Sequence, residues 1–239
     1  FKRLEQALQG YEIRVVSSDK NEDKFIISAS SDRVQGSYYL YDLISDTLTK
    51  LADAKPWLKT EMMAPVKPIS YMARDGVKIH GYLTLPLGNE PKNLPVIVNP
   101  HGGPWFRDIW VDFSDLVFAE RQFLASRGYA VLQMNFRGST GYGKKFLNAG
   151  NKQWGKAMQD DITDGVQWLI DQGIADPQRI CIYGISYGGY AALAGVTFTP
   201  DLYVCGIDQC GISNLFTFFK SMPDYWRPQL ARWHGRVGD

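Results

Sequence analysis

Ser186 sits in Gly184-Ile185-Ser186-Tyr187-Gly188, a spacing that fits the nucleophile elbow G-x-S-x-G. That chemistry requires a sharp strand-to-helix turn, which lifts the hydroxyl clear of the sheet, and glycines on both sides let neighbouring backbone approach the strained residue. The strand formers "RICIYGI" before the serine and the small residues "YGGYAALAG" after it supply that context. A helix starting there aims unpaired N–H groups at a developing oxyanion. Acyl transfer needs two such donors. The Tyr187 N–H is expected to be one, and the glycine loop "NPHGGP" over residues 99–104 to supply the other. Gly102 and Gly103 leave the backbone bare in that loop, and the Gly103 N–H is the expected donor.

A serine nucleophile also needs a base. The histidines are His80, His101 and His234, and only His234 follows Ser186. Elbow serines of this kind are followed in the chain by an acid and then by the histidine. His101 precedes the serine and is expected to brace the oxyanion loop instead. His80, in "KIHGYL", reads as a packed or edge histidine. His234 with Asp208 or Asp224 fits the order, but Asp208 lies inside the strand-like "CGIDQC", and the last sheet strands that would position acid and base have not appeared. His234 therefore reads as a surface or core-edge residue.

A third loop, "NFRGSTGYGKKF" over 135–146, follows a buried strand. It should share the sheet edge where open α/β sheets bind ligands. Arg137 reads first as an anchor of this loop and second as a partner for a substrate carboxylate. His101, Gly102, Arg137 and Tyr142 together form the expected substrate-binding or loop-bracing set. Asp160, Asp161 and Asp164 in "QDDITDG" read as helix-dipole partners rather than metal ligands, and neither a metal nor a cofactor is expected.

The elements that must carry these loops fall into two unlike runs. Over residues 1–63, "EIRVVS", "KFIISAS", "SYYLYDL" and "TLTKL" are short strands separated by turn clusters, which predicts an antiparallel sheet. Four such strands would make one propeller blade, and one blade needs neighbours to cover its faces. "APVKPIS", residues 64–70, reads as a linker. Over 64–239 apolar strands alternate with helical patterns, which predicts a mostly parallel sheet covered on both faces. Helices are expected over "FSDLVFAERQFLASRG", over "WGKAMQDDITDGVQWLIDQG" with Met158, Ile162, Val166, Leu169 and Ile170 on one face and Gly173 at its end, and over "YGGYAALAGV".

The bulk numbers exclude more than they assign. With 239 residues, 45% hydrophobic and a net charge of +1, the chain has the composition of an ordinary globular protein and no charge block for nucleic acid or an anionic membrane. No apolar run approaches a membrane span, so a soluble protein is expected, and the sequence does not decide between a cytoplasmic and a periplasmic compartment. The chain begins with Phe1, and no signal peptide is visible. Cys181, Cys205 and Cys210 lie in apolar strand-like runs and read as free core thiols; the spacing of Cys205 and Cys210 fits no common zinc pattern.

Together, "RDGVKIHGYLTLP", "HGGP", "FLASRGYAVLQMNFRGSTGYG", "WGKAMQDDITDGVQWL" and "GISYGGYAAL" resemble the prolyl oligopeptidase family of serine peptidases, in that family's order and over most of residues 72–215. "HGGP" is more similar to the acylaminoacyl-peptidase and bacterial dipeptidyl-peptidase branches. Prolyl oligopeptidase itself and the exopeptidases of the other branch place a tyrosine where His101 stands. The resemblance implies an α/β-hydrolase fold lacking its C-terminal strands, preceded by the terminal blade of a β-propeller. It implies hydrolysis of short peptides through an acyl-enzyme on Ser186, with the catalytic Asp and His beyond Asp239. The chain would then be a fragment, inactive alone and poorly soluble because one sheet edge is open. A carboxylesterase acting on small acyl esters, and a binding protein on a hydrolase scaffold, are the alternatives.

Overall fold

The computed structural model describes residues 2–88, 90–111 and 115–238. The β-branched and aromatic runs near the start form strands β1 (Glu12–Ser18), β2 (Lys24–Ser30), β3 (Ser37–Asp42) and β4 (Thr47–Asp53). Each pairs antiparallel with the next. Asp19 and Asp42 close two of the turns by accepting backbone N–H bonds two to five residues on, a local bond that favours aspartate in turns. A short helix α1 (Lys2–Ala7), not anticipated from the sequence, sets Leu4 against Ile27 and Ala29 on one face of this sheet.

The second sheet has six strands: β5 (Val66–Met72), β6 (Lys78–Thr84), β7 (Leu94–Val98), β8 (Ala130–Asn135), β9 (Ala175–Ile185) and β10 (Cys205–Gln209). Their spatial order is β10-β9-β7-β8-β6-β5. The first four of that order run parallel, while β6 and β5 continue antiparallel. Around the sheet lie α2 (Asp115–Ser126), α3 (Gly143–Ala149), α4 (Ala157–Asp171), α5 (Tyr187–Phe198), α6 (Leu215–Lys220) and α7 (Leu230–Val237). Alternation along β9 places two of them on opposite faces. Ile182 packs toward Gly195 of α5, and the next residue, Tyr183, donates its hydroxyl to Glu120 of α2 at 2.8 Å. This mixed sheet, with a serine at the turn from β9 to α5, is the α/β-hydrolase fold.

Helix α4 shows why the sequence pattern works. Met158, Ile162, Val166 and Leu169 are buried on one face, each contributing roughly 1.5–3 kcal/mol by leaving water. Gly173 follows the helix at φ 69°, and the N–H groups of Gly173 and Ile174 satisfy the last carbonyls, as a glycine C-cap does.

Four expectations need correction. Residues 66–70, read as linker, belong to edge strand β5; Pro68 is tolerated there because an edge strand has one side free of ladder bonds. The loop 135–146 is shorter than expected, because α3 begins at Gly143. Strand β9 starts at Ala175, four residues before the run "RICIYGIS". The cysteines were expected in the core, but among the described residues Cys205, on the other edge strand β10, and Cys210 just after it are exposed, and Cys181 on β9 is half-buried. The helix expected from Phe113 is seen from Asp115; Phe113 and Ser114 lie outside the described residues.

The two sheets are joined by polar bonds around residues 60–66. The Gln122 side chain accepts from the Ala64 N–H at 2.8 Å and donates to the carbonyls of Ala64 and Asp32. Asp32 accepts from the Val66 N–H at 2.7 Å, and Arg33 donates to the carbonyls of Met63 and Thr60.

Candidate active site

Ser186 is the one residue between β9 and α5, at φ 59° and ψ −117°. A serine held there stores of order 1–3 kcal/mol of strain, which only a tightly determined surrounding can maintain. That surrounding is visible. Its N–H donates to the Gln209 carbonyl at 2.9 Å and its carbonyl accepts from the Tyr190 N–H at 3.0 Å. A Cβ at Gly184 would collide with the Gly188 backbone, and a Cβ at Gly188 with the Pro100 carbonyl. The elbow thus needs glycine for close approach on both sides. Tyr187, the first residue of α5, has an N–H with no partner inside the helix.

The loop after β7 comes alongside. A Cβ on Gly102 would stand 3.6 Å from the Ser186 Cβ, and Gly103, at φ 119°, lines the same cleft as Ser186. Among the described residues the Gly103 N–H donates to no acceptor. The Ser186 turn and the Gly103 backbone thus share one cleft, with Tyr187 next to Ser186 at the start of α5.

His101 lies behind this loop, buried. Its Nδ1 is 2.8 Å from the Gly102 carbonyl oxygen and its Nε2 is 2.9 Å from Ser139 Oγ. The ring stacks on Phe136 with centroids 4.3 Å apart. Burial pushes the imidazole down to about 4. His80 stacks on Tyr142, and His234 stacks on Phe219. Among the described residues no imidazole is hydrogen-bonded to Ser186.

Arg137 is held by two carboxylates. Its backbone N–H, Nε and Nη2 donate to Asp161, and Nη1 and Nη2 donate to Asp75. The two carboxylates raise its pKa, while burial pulls the Asp161 carboxyl up against these bonds. With the guanidinium so engaged, the turn at 136–139 is fixed. Asp160 and Asp164, neighbours of Asp161 on α4, pair with Arg74. Tyr142 bonds to Asn135 at 2.8 Å, and Asn135 in turn holds the backbone of Asp108 in the loop that follows Gly103.

The outer wall was missed at the sequence level. A cleft of about 570 Å³ next to Ser186 and Gly103 is lined also by Asn214, Phe218, Trp226 and Trp233. Trp233 stands edge-on to Trp105, centroids 4.8 Å apart, and stacks with Trp226 at 5.8 Å. The signal available was the aromatic density of "LFTFFKSMPDYWRPQLARW". Asp75, the second partner of Arg137, was also missed; it lies in "RDGVKIHGYLTLP", but it is 62 residues away from Arg137 in sequence.

The prolyl oligopeptidase family model matches residues 116–236. Dipeptidyl aminopeptidase BIII of Pseudoxanthomonas mexicana is 40% identical over 98% of this chain and 34% of its own length. A puromycin-hydrolysing peptidase of Mycobacterium tuberculosis superposes with a TM-score of 0.76 at 26% identity, over 90% of this chain and 33% of that one. An acylaminoacyl peptidase of Pyrococcus horikoshii superposes with a TM-score of 0.74 at 27% identity, over 94% of this chain and 35% of that one. The chain thus spans about a third of the length of the relatives it matches.

Proposed function

The chain belongs to the prolyl oligopeptidase family, and from that premise we propose that it carries the nucleophile and oxyanion half of a serine peptidase for short peptides. Ser186 Oγ attacks the scissile carbonyl, and the amine leaves to give an acyl-enzyme that water hydrolyses. The N–H groups of Tyr187 and Gly103 hold the oxyanion in both steps. The observation that carries this reading is the strained Ser186 turn facing a cleft it shares with Gly103. In this reading the His and Asp that move and steer the proton come from sequence outside residues 1–239, as the resemblance implies; among the described residues none of His80, His101 and His234 is hydrogen-bonded to Ser186. The sheet of β1–β4 is read as the terminal blade of a propeller, and that propeller would screen the cleft and admit only short chains. Phe218, Trp226 and Trp233 suit an apolar side chain next to the attacked carbonyl. The relative from Pseudoxanthomonas mexicana favours release of dipeptides.

The test uses the full-length protein that contains this chain. A chromogenic dipeptide amide is compared with the matched ester, before and after Ser186→Ala. Loss of at least about 10³-fold in kcat on the amide is expected. Amide hydrolysis that survives the substitution would overturn the peptidase reading. Hydrolysis of the ester alone would favour the carboxylesterase reading, for which the shared elbow and oxyanion loop are the support.

A further inference from the structure

We infer that Cys181 and Cys205 are a disulfide-forming pair, a redox-sensitive staple across the two strands that flank the Ser186 elbow. Strands β9 and β10 run parallel, and their register sets Cys205 directly opposite Cys181. Neighbouring strands lie roughly 4.8 Å apart, and opposed side chains point to the same face. A disulfide needs Cα atoms about 4.4–6.8 Å apart, so the ladder itself supplies the spacing. The thiols meet on the face toward α2, because Tyr183, two residues after Cys181, reaches Glu120 there. On its other side Cys181 is opposed by Ile97 of β7, which offers no sulfur. Burial, and then the neighbouring Cys205 thiol, push the Cys181 thiol up to about 12. Cys210 is no rival. It follows Gln209, which opposes Ile185, roughly 13 Å along the ladder from the pair. Among the described residues neither thiol belongs to a group of three or more metal-ligating side chains, so the reactive neighbour of each is the other.

The oxidant in this inference is a hydroperoxide. Cys205, the exposed thiol, attacks its O–O bond as the thiolate; an S–O bond forms, the O–O bond breaks, and water leaves when the oxidant is hydrogen peroxide. Cys181 sulfur then attacks the oxidised sulfur of Cys205. The S–S bond forms, the S–O bond breaks, and the departing hydroxide takes the Cys181 proton and leaves as water. Two thiols lose two electrons and two protons, and one hydrogen peroxide becomes two waters. The chain between the two cysteines holds the whole elbow and α5. Among the described residues β10 is an edge strand, laddered on one side only. Its far end is already tied, because the Gln209 carbonyl accepts the Ser186 N–H at 2.9 Å. The disulfide ties the near end, so the segment that carries the strained serine is closed on itself.

The test uses the full-length protein, reduced, desalted and then treated with hydrogen peroxide. Free thiols are alkylated and the protein is digested without reductant. Trypsin has no site between the two cysteines, but chymotrypsin cuts after Tyr183 and Tyr203 and places them on separate peptides. Mass spectrometry should find those two peptides joined, with a mass about 2 Da below their sum. The link should persist in Cys210→Ser and vanish in Cys205→Ser, a change at an exposed position that the fold tolerates. Both thiols alkylated after treatment, or Cys205 carried to the sulfinic acid with no link, overturns the inference. So does a link that survives Cys205→Ser or is lost in Cys210→Ser. Oxidation should also raise the melting temperature of the wild type, because closing the loop restricts the unfolded chain, and leave that of Cys205→Ser unchanged. A link that forms and leaves the melting temperature unchanged or lower overturns the staple. None of these readouts uses hydrolysis, so their outcome is separate from that of the Ser186 test.

Discussion

The cleft has two walls of opposite construction. The inner wall is the elbow with the loops after β7 and β8. Strand β8, which delivers one of those loops, is buried at every residue. Arg137 and Asp161 are tied by charge-assisted bonds in the interior, and His101 is boxed in by Phe136 and Ser139. The outer wall runs from Cys210 through α6 to α7. It is held by ring contacts among Phe218, Trp226 and Trp233. In the proposed reading, the groups of the inner wall must meet a reacting carbonyl within tenths of an ångström, and such groups belong where packing fixes each rotamer. The outer wall would meet a substrate side chain, and such a surface tolerates contacts that can re-pack. The difference predicts that substitutions in the inner wall cost stability and rate together, while those in the outer wall change binding and little else.

The largest expected effect is at Asp161. Asp161→Ala leaves the buried Arg137 guanidinium short of a fully buried partner, and should destabilise the fold by about 3–5 kcal/mol in urea denaturation. A cost below about 1 kcal/mol would show that the inner wall is no more tightly determined than the outer one.

The next effect depends on pH and isolates His101. Its imidazole titrates near 6.5 when unfolded and is pushed down to about 4 in the folded chain by burial. Between those values the unfolded chain binds the extra proton and the folded chain does not. The stability tied to this group is therefore full above about pH 6.5 and is lost as pH falls toward 4, a total of about 3 kcal/mol. Denaturation midpoints of wild type and His101→Asn, measured from pH 7 to 4.5, should converge as the pH falls. Parallel curves would mean that the ring is hydrated, and the inner wall looser than its contacts imply.

The same contrast explains what the sequence revealed. The strand and helix pattern of the second sheet was readable because buried strands and one-faced helices leave strong periodicities, as α4 does with Met158, Ile162 and Val166. The turn at Ser186 and the close approach of the loop after β7 were readable because tight backbone contacts at Gly184, Gly188 and Gly102 restrict residue type at fixed spacing. Three features were not. Pro68 argued against a strand, yet β5 is an edge where its missing N–H breaks nothing. Cys205 of β10 looked buried because an apolar run reads the same at an edge as in the middle of a sheet. The partnership of Arg137 with Asp75 and Asp161 is set by tertiary contact across long separations, which no local pattern encodes.

A smaller effect is expected at the start of the outer wall. Asn214 caps α6 by accepting the Thr217 N–H at 3.0 Å, so Asn214→Ala should cost about 1 kcal/mol. Because Asn214 also lines the cleft, KM should rise more than kcat falls. A kcat loss as large as that of an oxyanion variant would place Asn214 with the inner wall and blur the division.

The smallest effect is the sharpest limit on the comparison. Arg227 and Asp224 approach to 2.8 Å in the outer wall, against 2.7 Å for Arg137 and Asp161. Their side chains, however, are 75% and 85% exposed, where water screens the pair and holding two long side chains costs entropy. Arg227→Gln should change stability by less than about 0.5 kcal/mol. Distance alone would predict equal losses from the two pairs; burial predicts a ratio of several-fold. Measuring both variants under one set of conditions decides between those accounts. A loss at Arg227 approaching that at Asp161 would mean that the outer wall is covered in solution, and that its open face belongs to the interior of a larger assembly.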